Sequence, residues 1–346
     1  MAGISLLEYY LLLFSRFGIN DAAILIGHLG EKVVQLVKSN RSLSINLDFI
    51  NQTEQLGTGH AVSMLREIAG DEDFLLIYSD VFIGSNDLRR LLEVGSSSEF
   101  DHVVAVARVT EPWKFGVVLE DSGLLKGIIE KPERGTEPSN KVIAGAFYFN
   151  NSIFSFLEGL SKSPRGEYEL TDAIQEAAQC GKKVKVLDLE GGWTDAGTFS
   201  NLLVASKLLF QEMIREELYL DLRWMYQDGL FGPGTKESYP EVEVQGPVFI
   251  GSNVEIGRGS RIGPYTVLFG DVVIGEEASV SNSILLKGAR VGEGSIIEAS
   301  ILSDGSYVGK EVKLKGRPEP GEFGMVLGEG ARVNDLTEVE PGAIFT

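Results

Sequence analysis

The sequence predicts an α/β domain with a mixed sheet, followed by a parallel β-helix. Two observations carry this. Residues 4 to about 190 alternate between short apolar runs and stretches with helical spacing, the pattern of a sheet covered by helices. Further on, an aliphatic residue recurs every six positions, at Ile250, Ile256, Ile262, Leu268, Ile274 and Val280, with Gly at 251, 257, 263 and 275. Six-residue repetition is the signature of a β-helix, each repeat forming one face of a coil.

Leu6, Leu7, Tyr10, Leu13, Phe14 and Phe17 follow helical spacing, so a buried amphipathic helix opens the chain. That run holds Glu8, Ser15 and Arg16 and has no basic lead. No stretch reaches the ~18 apolar residues of a span, so neither a signal peptide nor a membrane segment is expected. Strands at 22–27, 45–50 and 74–78 alternate with helices at 31–38 and 61–69, which favours parallel pairing. Runs 103–109, 115–120 and 124–130 lie close together and read as antiparallel, with Asp121-Ser122-Gly123 as turn residues between the last two. Runs 142–149 and 184–189 add strands, with a helix at 170–180 between them. A helical pattern from 199 to about 225, ended by Gly232-Pro233-Gly234, reads as a linker helix and domain boundary. The expected domains are therefore 1–198, a connection at 199–245 and the β-helix at 246–346. Within the β-helix the step lengthens to eleven before Val291 and Val308, stays at six to Ile297 and Leu314, and returns at Leu327, Val333, Val339 and Phe345. Residues 316–324 are expected to form a loop thrown out of the coil.

Composition narrows the partners. Lys plus Arg number 31 against 50 Asp plus Glu, a formal charge of −19. So acidic a chain is a poor tracker of polyphosphate, and nucleic acid is not an expected partner. The single cysteine, Cys180, cannot form an internal disulfide, which fits a reducing cytoplasm.

Four segments carry chemistry. Gln52-Thr53-Glu54-Gln55-Leu56-Gly57-Thr58-Gly59-His60-Ala61 follows a strand and opens a helix. Its glycines and Thr58 free backbone N–H groups for a base or phosphate, and the Gln52 amide can pair with a base edge. The bland alternative is a simple turn. Leu75-Leu76-Ile77-Tyr78-Ser79-Asp80 ends an apolar strand in a carboxylate, at the sheet edge where open α/β sheets bind ligands. The alternative is a turn or cap aspartate. In Gly127-Ile128-Ile129-Glu130-Lys131-Pro132 the proline stops the strand, leaving a carboxylate suited to sugar hydroxyls and an ammonium suited to phosphate, or else a surface ion pair. Trp193-Thr194-Asp195-Ala196-Gly197-Thr198 places a second carboxylate at a strand-to-helix turn. Two carboxylates with phosphates make a Mg²⁺ environment.

In this order the four segments resemble the sugar-1-phosphate nucleotidyltransferases. Ala144-Gly145-Ala146-Phe147-Tyr148-Phe149 and Gly166-Glu167-Tyr168-Glu169-Leu170-Thr171-Asp172 are similar to that family as well. The resemblance runs through about residues 1–200 and implies a Rossmann-like nucleotidyltransferase domain, with a left-handed β-helix tail such as many members carry. It further implies transfer of UMP or dTMP from the triphosphate to a sugar-1-phosphate, glucose-1-phosphate or N-acetylglucosamine-1-phosphate, with release of pyrophosphate. Asp80 and Asp195 would hold Mg²⁺, lying close together at one end of the sheet. Gln52, Gly57, Thr58 and Tyr78 would contact the nucleotide. Gly116, Glu130 and Gly145 would contact the sugar, and Lys131 its phosphate. The tail implies a homo-oligomer.

The family's opening strand and its Gly-rich, Arg-containing triphosphate loop are absent, since Met1-Ala2-Gly3-Ile4-Ser5-Leu6 resembles the segment that follows them. The sheet is thus expected to lack its first, central strand, with two strands facing a gap and a weakened domain. An inactive nucleotide-sugar-binding, regulatory or assembly subunit is the alternative reading. A bifunctional chain with an acetyltransferase tail is disfavoured. The three histidines, His28, His60 and His102, all precede the tail, so the tail has none to act as base.

Overall fold

A computed structural model describes residues 1–40, 43–218, 230–231, 239–317 and 322–346. Its contacts divide into two compact units, Leu13–Trp193 on one side and Met1–Leu12 with Thr194–Thr346 on the other. The division thus falls a few residues before the expected boundary and groups the first turns of the chain with the tail.

The opening helix, α1 (Leu6–Arg16), runs through the point where the first unit begins. The first unit then follows the expected alternation. Strand β1 (Asp21–Ile26), helix α2 (Gly30–Ser39) and strand β2 (Asn46–Asn51) come first. The expected helix at 61–69 is two short ones, α3 (Thr58–Ser63) and α4 (Arg66–Ala69). Strand β3 (Phe74–Ile77) leads to β4 (Val81–Ile83) and α5 (Ser85–Gly95), neither of which was expected. Next are β5 (His102–Arg108), β6 (Gly116–Asp121), β7 (Leu124–Glu130) and β8 (Lys141–Phe149). Helices α6 (Ile153–Glu158) and α7 (Leu170–Gln179) and strand β9 (Val184–Asp188) follow, before β10 (Trp193–Asp195) runs into the second unit.

Six strands form one mixed sheet in the order β3-β8-β5-β9-β7-β6. Only β5–β9 is parallel; β3–β8, β5–β8, β6–β7 and β7–β9 are antiparallel. Ser122 (φ 54) and Gly123 (φ 76) make the β6–β7 turn left-handed at both central residues, the geometry that matches strand twist in a two-residue hairpin. Strands β1 and β2 pair in parallel with each other and, among the described residues, with no strand of the larger sheet. Helix α7 buries Leu170, Ala173, Ile174 and Ala177, and its Gln175 accepts the Ile128 amide at 2.8 Å, fastening it to β7. The core beneath gathers Val104, Val118, Phe147, Phe149, Phe154 and Ile174.

The second unit is a three-sided parallel β-helix. One interior ladder runs Ile250↔Leu268↔Leu285↔Leu302↔Leu327↔Phe345. A second runs Ile256↔Ile274↔Val291↔Val308↔Val333, and a third Val244↔Ile262↔Val280↔Ile297↔Leu314. The long step between Leu302 and Leu327 holds the expected excursion, of which 318–321 lie outside the described residues. The repeat glycines serve less to turn the chain than to let coils touch: a Cβ on Gly257 would lie 2.4 Å from the Glu276 nitrogen of the next coil. Buried serines stitch neighbouring coils, as where Ser295 donates to the Gly309 carbonyl (2.7 Å) and accepts the Val312 amide (3.0 Å).

Phe249, Val267, Ile284, Ile301 and Val326 point outward from one side of the β-helix, yet all are buried. Helix α8 (Phe199–Arg215) and the first residues of the chain belong to the same unit and meet this side. The Phe210 and Tyr265 rings are 6.3 Å apart, the Phe249 ring presses on Gly3, and the Ala2 amide donates to Ser206 Oγ at 3.2 Å. The helix expected as a linker is therefore also a packing layer of the tail. Its expected continuation over 219–225, and Gly232-Pro233-Gly234, lie outside the described residues.

Candidate functional site

Gln52 directly follows β2, and Gly57 is the N-cap of α3. Gln52 Nε2 is 3.1 Å from His60 Nδ1 and 3.5 Å from the Gly57 carbonyl. An amide nitrogen only donates, so in the neutral ring that imidazole nitrogen accepts and the proton sits on Nε2. One side of the Gln52 amide is thereby committed, and its oxygen is left to accept.

Gly57 has φ 108, and a Cβ there would lie 2.6 Å from the Tyr168 carbonyl oxygen. The cause is a lacing that sequence spacing does not reveal. The Tyr168 amide donates to Leu56 O (2.8 Å), the Gly59 amide donates to Tyr168 O (2.7 Å), and the Leu170 amide donates to Thr58 Oγ1 (3.1 Å). This corrects part of the expectation. The Gly59 donor is consumed within the protein and is not offered to a ligand, and the Thr58 hydroxyl is partly occupied.

Tyr78 lies just past β3. Burial first of all drives its phenol well above the usual range, and the charges of Glu130, Asp80 and Glu169 add to this. The Tyr78 amide donates to the Gly145 carbonyl at 2.8 Å. Gly145 has φ 80, and a Cβ there would lie 3.0 Å from Tyr78 Cδ2, so a bare residue lets the ring lie against β8. Asp80 stands exposed in the turn between β3 and β4 and makes no hydrogen bond or ion pair among the described residues.

Glu130 ends β7 opposite Gly116 of β6. A Cβ on Gly116 would lie 2.9 Å from Glu130 Oε2. Burial raises the Glu130 pKa first, with Glu169 and Asp172 pushing the same way and Lys131 and Arg165 opposing. Lys131 is exposed, adopts φ 44, and donates its amide to Phe115 O at 3.1 Å. Trp193 braces this end of the sheet, its Nε1 donating to Ala144 O (2.9 Å) and its ring meeting Phe115 edge-on.

The first unit thus holds Gln52, Gly57 and Thr58 in one laced loop, Tyr78 against Gly145, and Glu130 over Gly116 with Lys131 next to it. Asp195 falls in the other unit. There its Oδ1 accepts from the Gly197 amide (3.2 Å) and Asn201 Nδ2 (2.5 Å), leaving Oδ2 without a protein partner among the described residues. No group of three or more His, Cys, Asp or Glu residues could hold a metal among the described residues. Arg165 and Glu169 were given no role from the sequence. Arg165 faces Glu130 across a long sequence gap, so only the fold brings them together.

Residues 1–212 match the nucleotidyl transferase family, and residues 244–345 match the GMPPB C-terminal domain. A glucose-1-phosphate thymidylyltransferase of Streptomyces griseus is 30% identical over 320 residues, 91% of this chain and 86% of that one. The bifunctional protein GlmU of Methanocaldococcus jannaschii is 28% identical over 94% of this chain and 80% of its own. The crystal structure of a Bacillus anthracis protein described as a glucose-1-phosphate thymidylyltransferase, in complex with sucrose, superposes with a TM-score of 0.53. It is 25% identical and covers 59% of this chain and 81% of that one. By these matches the chain belongs to the sugar-1-phosphate nucleotidyltransferase family, and its C-terminal part is a left-handed β-helix of the GMPPB type.

Proposed function

We propose that the protein transfers UMP or dTMP from UTP or dTTP to glucose-1-phosphate or N-acetylglucosamine-1-phosphate. An oxygen of the sugar phosphate forms a bond to the α-phosphorus, the bond from that phosphorus to the β-phosphate oxygen breaks, and pyrophosphate leaves. The observation that carries this reading is that one unit holds the laced loop of Gln52, Gly57 and Thr58, Tyr78 packed on Gly145, and Glu130 over the bare backbone of Gly116. It supplies an acceptor for a base at one end and a carboxylate for sugar hydroxyls at the other. Such chemistry is mainly positioning and charge neutralisation.

In this reading the Gln52 oxygen accepts the imide N–H of a pyrimidine, and Gly57 and Thr58 line the base with Tyr78 behind them. Glu130 accepts from sugar hydroxyls over the bare backbone of Gly116 and Gly145, and the Lys131 ammonium meets the sugar phosphate. Mg²⁺ suits the donors assigned to it. Asp80 and Asp195 each offer carboxylate oxygens without a protein partner among the described residues, and Mg²⁺ is held by one or two carboxylates together with substrate phosphates rather than by an all-protein cage. When bound, the ion would neutralise charge on the phosphates. The likeness to glucose-1-phosphate thymidylyltransferases favours dTTP and glucose-1-phosphate. Residues 1–198 as the transferase, 199–245 as the connection and 246–346 as an assembling β-helix complete the reading, as does a cytoplasmic setting. Among the described residues no helix is long and apolar enough to cross a membrane.

The test is pyrophosphate release across a panel of triphosphates and sugar-1-phosphates with Mg²⁺. Release with a pyrimidine triphosphate, lowered ~10²–10³-fold by Asp80→Asn or Asp195→Asn, is expected. Tight nucleotide-sugar binding with no release from any pair would instead favour the inactive regulatory subunit.

A further inference from the structure

Residues 131–140 join β7 to β8, and beyond Lys131 they have no part in the reading above. The segment is closed largely on itself. Glu133 O accepts from the Thr136 amide (3.0 Å) and hydroxyl (2.7 Å), and both Glu137 carboxylate oxygens accept from the Gly135 amide at 2.9 Å. Its two ends are fastened to the chain of β6 and its lead-in: the Lys131 amide donates to Phe115 O at 3.1 Å, and the Ser139 hydroxyl donates to Val118 O at 2.7 Å. Between these fastenings the Arg134 guanidinium lies over the Trp113 ring, 4.8 Å from its centroid. Trp113 belongs to a 3₁₀ turn (Pro112–Lys114) whose Pro112 is buried and which the Glu111–Lys114 ion pair spans. Arg134 makes no ion pair among the described residues, in a chain with 50 Asp plus Glu, so the indole face is what holds it.

We propose that Trp113 and Arg134 form a clasp that positions Lys131: the stack holds residues 131–140 down on the turn before β6 and so keeps the backbone of Lys131 in place at the end of β7. Both are positioning residues and neither is a ligand of the substrate. The proposal rests on the reading of Lys131 as the residue that meets the sugar phosphate. Two features besides the stack support it. Lys131 sits at φ 44, a left-handed conformation that an L-residue leaves unless its surroundings hold it there. The clasp also closes on the same short stretch as the hydrogen bond that fixes Lys131. Trp113 lies two residues before Phe115, whose carbonyl takes the Lys131 amide, and Arg134 lies three residues after Lys131. Releasing the ring therefore loosens the fastening beside it. A lysine that must reach a phosphate on a long flexible stem gains most from a fixed backbone, since positioning is what this chemistry needs.

The test uses the full chain. Hydrogen exchange of the Lys131 amide reads the fastening directly, and pyrophosphate release with glucose-1-phosphate and dTTP varied in turn reads the two halves of the site. An exposed cation–π stack is worth a factor of about two to five. Trp113→Ala and Arg134→Gln are each expected to speed Lys131 exchange by that factor and to raise KM for glucose-1-phosphate about as much. KM for dTTP should stay within about twofold and the unfolding curve should match wild type. Trp113→Phe and Arg134→Lys keep a ring and a cation and should restore both readouts toward wild type. The double variant Trp113→Ala/Arg134→Gln should lose no more than either single one, because the two residues make one contact. Lys131 exchange unchanged in both single variants would overturn the proposal. So would losses that add in the double variant, or equal rises in KM for both substrates. If Lys131→Ala leaves KM for glucose-1-phosphate as in wild type, or no pair of substrates turns over, the phosphate reading of Lys131 fails, and the exchange rates alone then decide whether the clasp holds this residue.

Discussion

Gly57→Ala should be among the more damaging single-methyl additions in the first unit, for two separable reasons. The residue sits at φ 108, where an L side chain is strained by roughly 1–2 kcal/mol. The added Cβ would also lie 2.6 Å from Tyr168 O, 2.9 Å from Tyr168 N and 3.0 Å from Glu167 Cβ. Two of these are backbone atoms, tied in turn to Leu56 and Gly59, so they cannot rotate away as a side-chain tip could. Forcing them apart is overpacking, about 1–3 kcal/mol. The sum, about 2–5 kcal/mol, is a large part of a typical domain's ~5–15 kcal/mol. Gly135→Ala is the control: φ is 89 and no heavy atom lies within 4 Å of the new Cβ, so only the backbone term of about 1–2 kcal/mol applies. The loss of unfolded-chain entropy is the same in both and cancels. Urea unfolding followed by tryptophan fluorescence suits the comparison, because Trp113 and Trp193 both lie in the first unit. Gly57→Ala should lie at least ~1 kcal/mol below Gly135→Ala. Equal losses would show that segment 163–170 moves freely and that the lacing does not fix the loop.

Burial pulls the His102 imidazole from 6.5 to about 4, with Asp101 opposing and Lys182 adding to the shift, and neither ring nitrogen has a hydrogen-bond partner among the described residues. The folded value lies below the unfolded one, so this stability is fully present above about pH 6.5 and is lost as pH falls toward 4, by about 3 kcal/mol; in His102→Phe the pH dependence of the urea midpoint should flatten in that window. Leu285→Ala removes a fully buried rung between Leu268 and Leu302, which should cost ~2–5 kcal/mol and show in the thermal unfolding of the tail by circular dichroism. With no histidine after His102, the chain should not acetylate glucosamine-1-phosphate from acetyl-CoA; chromatographic detection of the acetylated product would refute this.

Much of the fold is legible locally. The β-helix repeats, the strand at 124–130 and the helix near Leu170 are specified by period alone, because each must bury one face whatever its neighbours are. Helix α5 escaped because Ser85-Asn86-Asp87 and the polar Arg89-Arg90 interrupt its apolar stripe, while its buried Asp87 is satisfied from afar by the Glu190 and Gly191 amides at 3.1 and 2.7 Å. The motif residues were visible as types at strand ends, but not how the protein spends their hydrogen bonds. That Gly59 donates to Tyr168, that Gln52 leans on His60, and that Arg165 reaches Glu130 depends on segments far apart in sequence.

The sequence by itself determined the two architectures, the candidate motifs and the absence of a tail histidine, since these follow from periodicity and residue identity. Only the tertiary structure decided that β3 pairs antiparallel with β8, that α8 serves as a covering layer of the β-helix, and that Glu130 shares its cation with two further carboxylates. These are long-range pairings. A strand carries no local mark of which neighbour will complete it. An outward-facing aliphatic such as Val267 looks the same in the sequence whether water or a helix will meet it. A carboxylate's proton affinity is set by charges that arrive only when the chain has folded.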